Sequence, residues 1–404
     1  MKNYLTFVWR CFRTSFVGDW RYQAWMLLLT VTALVGLNAY CKQIVEGLVL
    51  TGLSDQVSWG SYISNFTFLV GMAAAAVMLV IPVYVYGHKA LHDLVIFGEL
   101  MTIAVIIMCI MFVTVDLGHP ERVLNLGRRM NFPMSMLTWD VVVLNVYLLL
   151  NLHICGYLIY CAYNKQEPRK ALYIPLVFLA IFWAISIHTV TAFLYVGLGG
   201  RPFWNSAIIA PRFLASAFAA GPAFIILTLQ VIRRFTSYHV PNGALDMLKR
   251  IVTVALTINM FLLACEVFTE FYTDSTHGAS AHYLFLGLQG HNALVPWIWT
   301  AITLNSVALL ILYLPLSRSR SLLNIACVFM IGGIWIEKGM GLIVPGFIPS
   351  PLGEIVEYSP TINETLVCLG IWAFGLLLYT ILVRVTIPVL SGELASDTAV
   401  NNNK

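Results

Sequence analysis

The chain has 404 residues, of which 59% are hydrophobic and only 10% charged. Soluble domains carry about 25% charged residues, so a soluble globular protein is excluded. The net charge of +4 points to no polyanionic partner, because in a membrane chain the placement of Lys and Arg sets orientation.

Arg10, Arg13 and Arg21 precede the first apolar run, and no small-residue cleavage site follows it. This reads as a retained inside end and not as a cleaved signal peptide. Apolar runs of spanning length then recur at about 23–48, 59–87, 95–117, 137–163, 170–197, 210–233, 250–272, 294–315, 321–344 and 363–388. The fold class expected is an all-α polytopic membrane protein of about ten transmembrane helices. It forms a single integral domain over 1–404, with a polar tail at 391–404.

Lys and Arg distribute unevenly over the connections. With the N-terminus inside, the inside segments hold Lys2, Arg10, Arg13, Arg21, Lys89, Lys165, Arg169, Lys170, Arg233, Arg234, Lys249, Arg250, Arg318, Arg320, Arg384 and Lys404. The outside segments hold Arg122, Arg128, Arg129, Arg201 and Arg212. Both termini are therefore expected in the cytoplasm. The outer connections are the longer ones and carry Gly, Pro and aromatic residues, as in Gly199-Gly-Arg-Pro-Phe-Trp204. A partner is expected on that face.

The eight cysteines are scattered, without Cys-x-x-Cys or Cys-x-x-Cys-His. Iron–sulfur ligation and c-type haem attachment by this chain are not expected, nor is a metal site. His153 and His188 differ in depth by roughly 10 Å of helical rise, which disfavours a bis-histidine haem.

Ionisable groups inside spans are costly and tend to mark function. Asn65, Asp116 and Asp140 fall in the outer halves of their spans, and His119 lies in the connection Gly118-His-Pro-Glu-Arg122 between two of them. A desolvated carboxylate holds a proton near neutrality and suits proton exchange with a bound ligand. A helix cap or an ion pair with Arg122, Arg128 or Arg129 is the plainer reading. Glu266 and Glu270 share one helical face and need a counter-charge. With His188, Arg201, Arg212, Glu337 and Lys338 they form a possible second polar network. His92, Asp93, Glu99 and His153 lie toward the inside and form a possible inner proton path, with Tyr and His near span ends also serving as interfacial anchors.

These residues carry a resemblance. Trp59-Gly60, Asp116-Leu-Gly-His-Pro-Glu-Arg122, Asn131-Phe-Pro-Met-Ser135, Trp139-Asp140, His188 and Arg201-Pro-Phe-Trp204 make the chain similar to the NrfD/PsrC family. Members of that family are quinone-interacting membrane subunits of modular respiratory oxidoreductases. The run Trp335–Tyr358 resembles the DsrP branch, from DsrMKJOP complexes of sulfur metabolism. The resemblance implies two four-helix bundles plus two additional helices. The expected division is a first bundle at about 59–163 with flanking span 23–48, and a second bundle with extra helices at about 170–388. It also implies menaquinone or another quinone as bound substrate, with no haem or iron–sulfur cluster in this chain. The implied partners are a periplasmic DsrO-like iron–sulfur protein, a DsrJ-like c-type cytochrome, a DsrM-like b-type cytochrome and a cytoplasmic DsrK-like iron–sulfur protein. The implied location is the cell inner (cytoplasmic) membrane.

Three functions are compatible with these observations. A quinone-binding electron-transfer subunit needs titratable groups beside the quinone and electrons from a partner. A secondary transporter would use the Glu266–Lys338 network, although such sites favour the midplane and repeated halves. A structural anchor for the iron–sulfur partner would tolerate Asp140→Asn.

Overall fold

The computed structural model describes residues 2–272 and 278–396. Ten helices in the described residues are long and apolar enough to cross a membrane. They are α2 (Trp20–Glu46), α3 (Ser61–Val85), α4 (Leu91–Asp116), α5 (Met136–Tyr163), α6 (Lys170–Val196), α7 (Ile209–Phe235), α8 (Asn242–Tyr272), α10 (Val295–Tyr313), α11 (Arg320–Phe347) and α12 (Ile362–Leu390). Each coincides with one expected span. Two shorter helices of more than a single turn accompany them, α1 (Lys2–Ser15) and α9 (Ala279–Phe285), with a four-residue helix at Asn125–Arg128.

Helix ends follow local chemistry. The Asp19 carboxylate accepts the N–H of Tyr22 at 3.0 Å and starts α2, and Gly47, at φ +85°, stops it. Thr361 caps α12 through the N–H of Glu364. Two spans widen into π-turns, at Ile81–Val85 and Ile336–Met340. Pro82 accounts for the first, since its missing N–H cannot complete an α-turn. α1 was not foreseen as a separate element. It exposes Leu5, Val8, Trp9 and Phe12, and Arg10 donates to the carbonyl of Ala395 at 2.9 Å. Such a face suits the membrane interface.

Helices α3, α4, α5 and α6 pack as one closed ring, and α7, α8, α10 and α11 as another. α2 and α12 pair beside the first ring, with α12 against α4 and α5. Two four-helix bundles with two additional helices are thus present. Their boundary differs from the expected division at 163: the span 170–196 closes the first bundle, and the additional helices are the first and last spans. The reason is packing, since α6 meets both α5 and α3.

α2 and α12 cross at Gly36 and Gly370, where a methyl on Gly36 would meet the backbone of Gly370. Contact this close requires small residues on both helices. The bundles join where α3 meets α7 and α11 and where α6 meets α7. The connections 47–60, 117–135, 197–208 and 348–361 lie together at one end of the spans, called outer after the side on which Lys and Arg place it in sequence. Gly52 there donates its N–H to Glu364, and Arg201 donates to Phe347.

Candidate functional site

Two carboxylates close the outer end of the first bundle. Asp140, on α5, is 2% exposed and accepts the Thr191 hydroxyl of α6 at 2.7 Å. Asp116, the last residue of α4, keeps Oδ1 buried without a hydrogen-bond partner. The ring of Tyr195, on α6, lies within electrostatic reach of both, and its hydroxyl meets Thr67 of α3. Two hydrogen-bond acceptors and one phenol thus surround the upper interior of one bundle. Such a set accepts hydroxyl donors and holds protons.

Above Tyr195 lies an outer cavity of about 490 Å³ lined by Trp59, Gly199, Gly200, Arg201, Trp204 and Phe347. Trp59 and Trp204 stack at 5.7 Å, and both meet the Tyr195 ring edge-on. The Arg201 guanidinium sits 4.6 Å from the Phe347 ring centroid and donates to the Phe347 carbonyl. Burial lowers its pKa from the ordinary arginine value.

Asn65 is fully engaged. Its Oδ1 accepts Trp335 at 3.0 Å and Trp372 at 2.8 Å, and its amide donates to the Ser61 carbonyl at 2.8 Å. One side chain on α3 therefore ties α11 and α12 to the first bundle. His119 is exposed in the 117–135 connection and pairs with Glu121 at 2.9 Å. The backbone N–H of Glu121, then His119, holds that carboxyl below the ordinary carboxylate range. His119 thus lies apart from Asp140.

In the second bundle Glu337 is 2% exposed. It accepts Arg212 at 3.0 Å, Asn259 at 3.1 Å and Asn305 at 3.0 Å. Arg212 also donates to Glu266, and Glu270 lines the same small cavity. The expected network of Arg212, Glu266, Glu270 and Glu337 is therefore a contiguous group. Arg201 is a correction, because its charge is spent on Phe347. Lys338 borders this group, sharing a small cavity with Arg212 and Glu337, and together with His188 it faces the junction between the bundles. His188 Nδ1 lies 2.9 Å from the Ala184 carbonyl, and the Lys338 ammonium lies 4.2 Å from the Phe213 ring centroid.

Toward the inner end, Glu99 is 3% exposed and accepts Cys155 Sγ at 3.5 Å. His92 and Asp93 pair at 3.3 Å, with side chains 61% and 83% exposed. An inner cavity of about 550 Å³ is lined by Tyr84, His92, Lys170 and Tyr173, with Tyr84 in electrostatic reach of Glu99. His153 is exposed on the outside of α5, stacked on Tyr157. It reaches the inner cavity only through Tyr157, whose ring lies 6.5 Å from that of Tyr173.

Sequence reasoning missed Glu364, which is fully buried. It accepts the N–H of Gly52 at 3.1 Å, the Ser61 hydroxyl at 2.6 Å and the Tyr358 hydroxyl. It also missed Tyr195, Thr191, Asn259 and Asn305. The two asparagines were visible as amides inside apolar spans, a signal for inter-helix hydrogen bonds. Among the described residues no group of three or more His, Cys, Asp or Glu side chains could hold a metal ion.

Comparison with known proteins places this geometry in a family. The chain is 25% identical over 346 residues to a protein of Halobacterium salinarum named as a membrane component of dimethyl sulfoxide reductase, covering 80% of this chain and 77% of the relative. It is 23% identical over 378 residues to the Hdr-like menaquinol oxidoreductase integral membrane subunit of Archaeoglobus fulgidus, covering 90% and 93%. It is 22% identical over 414 aligned positions to a selenate reductase component of Mesobacillus selenatarsenatis, covering 91% and 94%. The model of the family described as polysulphide reductase, NrfD, matches residues 49–348, which includes both bundles, and the chain belongs to that family.

Proposed function

We propose that this chain is the quinone-binding membrane subunit of an oxidoreductase complex. It exchanges electrons between menaquinol or menaquinone and an iron–sulfur protein docked on the outer face. The observation that carries the reading is a pair of buried carboxylate groups within electrostatic reach of Tyr195, Asp116 with an orphaned Oδ1 and Asp140 held by Thr191. An unpaired buried acceptor is costly, and a quinol hydroxyl is a fitting donor for it. The relative from Archaeoglobus, named as part of a menaquinol oxidoreductase, supports the choice of quinone.

A bound quinone would supply a reversible exchange of two electrons and two protons. In this chain Asp116 would hold the head group by accepting its hydroxyl. Asp140 would take up or return a proton at Oδ2, its Oδ1 being fixed by Thr191. Tyr195 would orient the pair from below the aromatic wall of Trp59 and Trp204. Asn65 would act through Trp335 and Trp372 as a positioning residue. His119 would belong to the docking surface with Arg122, Arg128 and Arg129. Electrons would come from, or go to, the partner's cluster.

The narrower assignment follows from the run Trp335–Tyr358. It favours a DsrP-like role, working with DsrO-, DsrJ-, DsrM- and DsrK-like partners in sulfur-linked energy metabolism. In that setting both termini face the cytoplasm across the inner membrane. A photoreactive menaquinone analogue tests the reading. Saturable labelling of α4 or α5 near Asp116 and Asp140, competed by menaquinone, is expected. Labelling confined to Glu266–Lys338 would move the site to the second bundle. No saturable labelling would leave the chain a structural anchor.

A further inference from the structure

Lys338 sits on the π-turn of α11, 4% exposed, with no hydrogen-bond partner on its ammonium. It leaves the second bundle and reaches α3, where a methyl on Gly71 would stand 3.0 Å from Nζ. His188 approaches the same junction from α6, beside the backbone of Gly71 and within electrostatic reach of Lys338. Its Nδ1 meets the Ala184 carbonyl at 2.9 Å and so carries the proton. That leaves Nε2 as a lone-pair acceptor, buried next to the Gly71 backbone without a partner in hydrogen-bond geometry. A donor lacking an acceptor and an acceptor lacking a donor thus share the bundle junction. Buried polar groups in this state call for an explanation.

The surroundings narrow it. From α11 and α7, Glu337 and Arg212 face Lys338; from α4, Cys109 does; α3 presents only the backbone at Gly71. Asp140 of α5 lies beyond Cys109. Beside the ammonium, a cavity of about 10 Å³ is lined by Arg212, Phe213, Ser216 and Glu337, close to the volume that one water needs. The π-turn sends Glu337 into one bundle and Lys338 toward the other, and π-turns concentrate at functional positions.

We propose that Lys338 carries protons laterally between the two bundles, with His188 as its counterpart in the first. An N–H bond of the ammonium breaks as a new one forms at His188 Nε2, directly or through one bridging water. A neutral amine and an imidazolium result. The amine then takes a proton from water in the small cavity. In the same step that water accepts another arriving from the Glu337 side, so that no hydroxide remains. The imidazolium passes its proton toward Asp140. The reverse sequence moves protons the other way. This inference rests on the proton exchange proposed above and extends it to the second bundle.

The test uses the intact complex in proteoliposomes, with Lys338→Met and His188→Gln made separately and together. Each variant should keep quinol-linked electron transfer within about twofold when uncoupler is present. Proton displacement per electron should fall about fivefold in either single variant, and no further in the double, because both interrupt one relay. Independently of turnover, the ¹⁵N signal of His188 Nε2 should shift in Lys338→Met. Normal proton displacement in both variants, additive losses in the double, or an unmoved ¹⁵N signal would overturn the relay. A parent complex without quinol turnover would instead overturn the function proposed above.

Discussion

The Thr191 hydroxyl donates to Asp140 at 2.7 Å across the contact between α5 and α6. The bond fixes one oxygen of a buried carboxylate and leaves the other for chemistry. Asp140→Asn keeps the volume and removes the titratable proton. Quinol-linked turnover of the assembled complex should fall at least about 100-fold, with assembly intact. Thr191→Val should cost less, on the order of tenfold, because orientation is lost and the carboxylate remains. Steady-state quinol oxidation on purified complex checks both. Unchanged turnover in Asp140→Asn would end any proton role for this residue.

Asn65 joins three helices through one amide, so Asn65→Leu should act mainly on stability. It leaves two indole N–H groups without their acceptor, a loss of about 2–4 kcal/mol. A lower Tm in detergent and altered emission from Trp335 and Trp372 are the expected readings. A variant as stable as the parent would show that the indoles find other acceptors.

Glu364→Ala should be more damaging. It strands the hydroxyls of Ser61 and Tyr358 and the N–H of Gly52. Breaking such a buried group costs about 3–5 kcal/mol. The variant should lose resistance to proteolysis in the 47–60 and 348–361 connections before the rest of the chain does. Limited proteolysis with mass mapping checks the order.

Arg128 and Arg129 are exposed in the 117–135 connection. Reversing both to Glu should weaken association with the proposed iron–sulfur partner about tenfold at low salt, and the difference should shrink as salt rises. Binding measured over a salt series settles it. Cross-links to that partner from the opposite end alone would show the docking face to be wrong.

Glu99 lies deep in α4, with Cys155 on one side and the inner cavity beyond Tyr84. Glu99→Gln should slow proton movement at the inner face of reconstituted vesicles about tenfold while uncoupled electron transfer persists. A pH-sensitive dye trapped in the vesicles reports it. Proton movements equal to those of the parent would make Glu99 a packing residue.

The ten spans were legible because apolar runs of spanning length admit one backbone solution in lipid. The partners of the buried polar groups were not. Glu364 finds Gly52 and Ser61 some 300 residues away, and no local pattern announces a contact of that range. Arg201 had the right sign to join Glu266 and Glu270, yet an aromatic ring and a carbonyl claimed it. The place of α6 was not legible either, since an apolar span does not announce which neighbours its faces bury. Asp116 and Asp140 stood out from sequence because charge is rare inside spans. Tyr195 did not, since aromatic residues are common there.

The pairing of α2 with α12 has a consequence for how the protein is made. α2 leaves the ribosome more than 300 residues before α12, the span that covers its Gly36 face. At about 5–20 residues per second, the delay between them is tens of seconds. Through that interval α2 must wait in lipid with the Gly36 notch uncovered. Gln43 finds Tyr62 and the Val115 carbonyl sooner, and so tethers the waiting helix to the growing first bundle. Truncation before residue 362 should therefore yield a chain whose first span is inserted yet open to membrane chaperones and proteases.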